Sequence, residues 1–172
     1  MARLPYADLD DLELAPLVDR IVQERGKVMN LYAMLLHSPP VAKGWLNFLT
    51  AIRQQCDFSS KIRELVILNI AVINKADYEF DTHAPIARAE GVTPEQIDAL
   101  RKNDLSVFND LEKAALTYSK SMTQDIDVPE TIFNDIKNRL STRHMVELTA
   151  TIAAYNLVSR FLEALRIDPD EQ

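Results

Sequence analysis

Apolar residues recur along this chain three and four positions apart, the spacing that gathers them on one face of an α-helix. In "LDDLELAPLVDRIVQERG" the residues Leu14, Leu17, Val18, Ile21 and Val22 share such a face, and Gly26 offers a stop. "VMNLYAMLLHS" reads as a short apolar helix. "SPPVAKGWLNFLTAIRQQ" puts Ser38 in a cap position ahead of Pro39 and Pro40, which suit the first helical turn. Ser59 or Ser60 opens "KIRELVILNIAVINKA", a helix apolar almost all round and therefore central and buried. Thr93, Pro94 and Gln96 spell a capping box. Asn109 with Glu112, and Asp127 with Pro129 and Glu130, repeat that logic at two further helix starts. The last long helix covers about 141–165. No strand-like alternation bounded by turn residues occurs. The pattern predicts an all-α helical bundle in one domain, 1–172, whose linkers of two to six residues make successive helices neighbours.

Two stretches echo one another. "SSKIRELVILNIAVIN" and "STRHMVELTATIAAYN" share a hydroxyl cap, a basic residue, a Glu-Leu pair (Glu64-Leu65 and Glu147-Leu148) and a closing Asn, and a proline-led helix precedes each. Two pseudo-repeated helical halves would produce this echo. So would the shared needs of two capped, buried helices.

Composition narrows the function. A net charge of −7 disfavours nucleic acid, which needs a concentrated basic surface. No apolar run approaches the roughly 20 residues of a membrane span, and the N-terminus lacks a secretory h-region; both point to a cytoplasmic protein. Three glycines leave little room for phosphate-cradling loops, and the single cysteine, Cys56, makes neither an intrachain disulfide nor a cysteine-rich zinc site.

Chemistry concentrates in "NKADYEFDTHAPIARAEG". Glu79 precedes His83 by four residues, so in one helix the two share a face. A carboxylate beside an imidazole favours the charged ring and fixes its tautomer, which serves general acid–base catalysis and an ordinary structural pair alike. Pro85 leaves two geometries open. Either a helix continues past His83 with a kink, or it begins near Asp81 and Thr82, with His83 at its positive end. Glu64 is the second candidate: a helix-start carboxylate, or one held at the mouth of a buried pocket with a raised pKa. Tyr78 beside Glu79 could offer a hydroxyl to a substrate. Arg63 and Arg88 are the nearest basic groups. His37 and His144 have no metal-ligand spacing around them, so no metal is expected.

From Ser59 to Leu100 the residues Glu64, the apolar run after it, His83, and then Gly91, Thr93, Ile97 and Leu100 resemble the core module (59–100) of the carboxymuconolactone decarboxylase and alkylhydroperoxidase D-like superfamily. The resemblance implies a helical bundle of the alkylhydroperoxidase D-like type, assembled as a trimer or hexamer. In the family's peroxidase branch a Cys-x-x-Cys pair reduces hydroperoxides. Counting back from His83, its positions here hold Ala76 and Glu79, and neither forms a thiolate. The resemblance therefore points to the thiol-free decarboxylase branch, which acts on a small lactone carboxylic acid with no cofactor. It implies His83 as proton donor or base, Glu79 as its orienting partner and Glu64 as a second proton carrier, with a small anionic organic substrate. The alternatives are an antioxidant protein using Cys56 with a second thiol from elsewhere, and a non-catalytic helical oligomer in which the motif is a relic.

Overall fold

The computed structural model describes residues 1–170. They form nine α-helices: α1 Ala15–Arg25, α2 Asn30–Leu35, α3 Pro39–Thr50, α4 Ser60–Asn74, α5 Asp77–Ala89, α6 Pro94–Arg101, α7 Asp110–Gln124, α8 Glu130–Lys137 and α9 Thr142–Leu165. A π-helical turn, Ala51–Gln55, prolongs α3, and no strand occurs among the described residues. The fold is all-α, as the periodicity predicts. The chain forms two compact units, one of Met1–Cys56 with the chain from Leu162 onward, the other Asp57–Phe161.

In the first unit α1 starts at Ala15, later than the apolar pattern alone suggests. Asp8 and Asp11 turn their carboxylates back onto the amides of Asp10 and Glu13 at 3.0 and 2.9 Å, and this local bonding competes with helix. Gly26 stops α1 with φ of 85°, a conformation glycine adopts at little cost. Arg25 donates from Nη2 to Thr50 Oγ1 at 2.7 Å, and Thr50 in turn donates to Glu24, tying α1 to α3.

The second unit is organised around α4, which packs on α5, α6 and α7. Ser59 caps it, its hydroxyl oxygen accepting from the Ile62 amide at 3.4 Å. A run this apolar does not suit a surface helix; Leu65, Val66, Ile67, Leu68 and Ile70 are all fully buried. Leu65, Leu68 and Ala71 meet Phe80, Ala84 and Ala87 of α5 and Ile97 and Leu100 of α6 in one apolar cluster. Asn69 is the polar exception within α4's buried run. It donates to Leu116 O at 3.2 Å and to Ser119 Oγ at 2.8 Å, so its burial beside α7 is compensated.

Both capping boxes at Thr93 and Asn109 form, each with its two reciprocal hydrogen bonds. The third does not. Pro129 itself occupies the N-cap of α8, and no side chain caps that helix. Asp127 lies two residues too early.

Candidate functional site

Pro85 lies inside α5 rather than at its start, so Glu79 and His83 belong to one helix that continues to Ala89. That settles the two geometries left open by the sequence. His83 is mid-helix, 5% exposed, and α5 turns it toward α4.

Where the resemblance implied Glu79 as the orienting partner of His83, the carboxylate that meets it directly is Glu64, 19 residues earlier. Its Oε2 lies 2.7 Å from His83 Nδ1, and its Oε1 accepts from Arg63 Nε at 3.2 Å. Glu64 is completely buried and stands one turn into α4, beyond the reach of first-turn capping. Burial pushes its carboxyl up from the ordinary 4.5. The hydrogen bond and charge of His83 and the guanidinium of Arg63 together outweigh burial, and the net direction is down. A raised pKa, one of the two sequence expectations for Glu64, is thereby reversed. The sequence did not reveal that an imidazole and a guanidinium both converge on this carboxylate.

An ionised Glu64 accepts a hydrogen bond, so Nδ1 carries the proton. The neutral ring then presents Nε2 as a base, and the charged ring presents Nε2–H as an acid. The Tyr155 ring of α9 stands perpendicular to the imidazole with centroids 5.0 Å apart, which restricts the ring's rotation.

Glu79 is also buried. Both its oxygens accept from Ser159 Oγ, at 3.1 and 3.0 Å, and that hydroxyl also lies 2.9 Å from Tyr155 O. The structure thus gathers Glu64, Glu79, His83 and Tyr78 onto α4 and α5 in the buried part of the second unit. It adds Tyr155 and Ser159, which the sequence reading did not select, and turns Arg63, named there as a nearby basic group, onto Glu64. Tyr155 and Ser159 did leave a trace: they are four apart on α9, so they share a face, and both are buried there and must find polar partners. Arg88 lies at the exposed end of α5. Among the described residues no group of three or more His, Cys, Asp or Glu side chains is arranged to hold a metal ion.

Residues 39–120 match the model of the carboxymuconolactone decarboxylase family. Solved structures share the fold at low identity. A peroxidase-related protein from Silicibacter sp. TM1040 is 16% identical with a TM-score of 0.84, covering 98% of this chain and 92% of that one. A peroxidase-related protein with an alkylhydroperoxidase AhpD core from Ralstonia eutropha JMP134 is 18% identical with a TM-score of 0.84, covering 99% and 93%. The debrominase Bmp8, in a cysteine-to-alanine form complexed with 2,3,4-tribromopyrrole, is 17% identical with a TM-score of 0.79, covering 98% and 90%. No curated protein matches the chain significantly.

Proposed function

We propose that this protein is a cofactor-free acid–base enzyme, a decarboxylase or related lyase acting on a small organic acid or lactone. The observation that carries this reading is the buried Glu64–His83 bond of 2.7 Å, formed where Ala76 and Glu79 occupy the positions of the family's thiols. A carboxylate held ionised beside Nδ1 leaves one ring nitrogen, Nε2, to exchange protons. When a carboxylate departs as CO₂, its bonding electrons pass to the adjacent carbon and any conjugated carbonyl. Nε2–H then donates to the charged oxygen or returns the proton to carbon, and water reprotonates the ring. Glu64 acts through the imidazole, as does Tyr155. Glu79, whose two oxygens accept from Ser159 Oγ, is a second buried carboxyl group on the same helix as His83. The neighbours described as peroxidase-related or debrominase suggest thiol chemistry, but a single cysteine cannot close a disulfide within this chain. The same reading carries a cytoplasmic protein assembled as a trimer or hexamer.

Release of CO₂ from a panel of unsaturated lactone carboxylic acids tests the assignment. Turnover is expected to fall about 10²-fold or more in Glu64→Gln and in His83→Gln, with helical circular dichroism retained. Undiminished turnover in His83→Gln would remove the proposal. Hydroperoxide consumption lost in Cys56→Ser would replace it with the thiol reading.

A further inference from the structure

The second unit contains a groove unrelated to the Glu64–His83 pair. It has a volume of about 590 Å³ and is walled by α7, α8 and the first half of α9. That volume falls within the range of about 300–1,000 Å³ common to small-molecule sites. Phe133, Met145, Val146 and Ala150 give it an apolar lining, and Val146 remains 63% exposed there. An exposed valine at the edge of a concave apolar surface gains by being covered. Tyr118 and Thr149 supply hydroxyls in the lining, 2.9 Å from each other.

The charge in the groove is one-sided. Lys137, in the last turn of α8, lines it, with Nζ 5.9 Å from the centre of the Phe133 ring. No carboxylate among the described residues forms a salt bridge with it, although this chain carries 26 acidic residues against 19 basic ones. No acidic side chain lines the groove. An apolar trough with one unneutralised cation fits a ligand with the opposite layout, an apolar body bearing a single negative end.

We propose that this groove is a binding site for a small amphipathic monoanion, an aromatic or aliphatic carboxylate or sulfonate. Its apolar body lies against Phe133, Met145, Val146 and Ala150, and its charge lies at Lys137. The site shares no residue with the acid–base pair and stands whether or not the proposed reaction is correct.

Two fluorescent probes with the same aromatic body test it: 8-anilinonaphthalene-1-sulfonate, which is anionic, and N-phenyl-1-naphthylamine, which is neutral. The sulfonate is expected to bind saturably at one per chain and more tightly than the amine. Lys137→Met is expected to weaken the sulfonate by about two- to fivefold, the effect of one exposed charge pair, and to leave the amine unchanged. Ala150→Trp fills the trough and abolishes both signals. Val146→Asp, at an exposed position that folding tolerates, weakens both and the sulfonate more. Equal binding of the two probes, indifference to Lys137→Met, or full binding in Val146→Asp overturns the proposal. So does a sedimentation mass that drops in Val146→Asp, since the groove is then covered by a second copy of the chain.

Discussion

Glu64 links acid stability to the site. Its folded carboxyl titrates below the ordinary 4.5, because His83 and Arg63 overcome the cost of burial. A depressed carboxyl pKa contributes stability that is complete above the unfolded value and is lost as pH falls through the folded one. Urea midpoints measured from pH 6 to pH 2 should therefore fall less steeply in Glu64→Gln than in the parent. An equal slope in both would mean that the His83 bond contributes nothing to folding. The same burial complicates His83→Ala, which strands a carboxylate with only Arg63 beside it. Breaking a buried pair in this way costs about 3–5 kcal/mol, so loss of activity in that variant confounds chemistry with unfolding, and His83→Gln is the better probe. At this scale the sequence told part of the story. Glu64, Glu79 and His83 were legible from residue type and spacing. Their partners were not, because Arg63–Glu64 is a contact between adjacent residues with no periodic signature, and Ser159 reaches Glu79 across 80 positions.

Helix ends were the most readable elements, since a capping box is written within four residues. Thr93 with Gln96 and Asn109 with Glu112 formed as their spacing predicts. Glu112 goes further, accepting from Gln96 Nε2 at 3.2 Å and pairing with Lys61 Nζ at 2.8 Å, so one cap joins α4, α6 and α7. Asp127 imitated the pattern but missed the register, and the sequence alone could not show that Pro129 would take the cap position. Asn109→Ala should cost about 1 kcal/mol or more in chemical denaturation, whereas Asp127→Ala should leave stability within about 0.5 kcal/mol. A comparable loss in both would return Asp127 to a capping role. The α4–α9 echo persists locally: Ser59 caps one start and Ser141 accepts from the His144 amide at 3.1 Å at the other. The two glutamates part ways, however. Glu64 meets an imidazole, while Glu147 holds Arg143 at 2.9 Å and the Asp57 amide at 3.1 Å.

For the whole molecule, all-α architecture followed from periodicity, while assembly did not. Val41 and Phe48 are seven apart on α3, share one face, and remain exposed, as does Leu157 on α9. Exposed apolar surface of this kind suits contact between subunits, so sedimentation equilibrium at micromolar concentration should return the mass of a trimer or hexamer. A monomer under those conditions removes the assembly from the proposed reading. No helix among the described residues is long and apolar enough to cross a membrane. The replacement of both motif thiols by Ala76 and Glu79 has one further consequence. On the proposed reading, a carboxylate and an imidazole return to their resting state by trading protons with water. Such a catalyst draws no electrons from the cell, needs no reductase to reset it, and keeps working through oxidative stress that would stall a sulfur-based cousin.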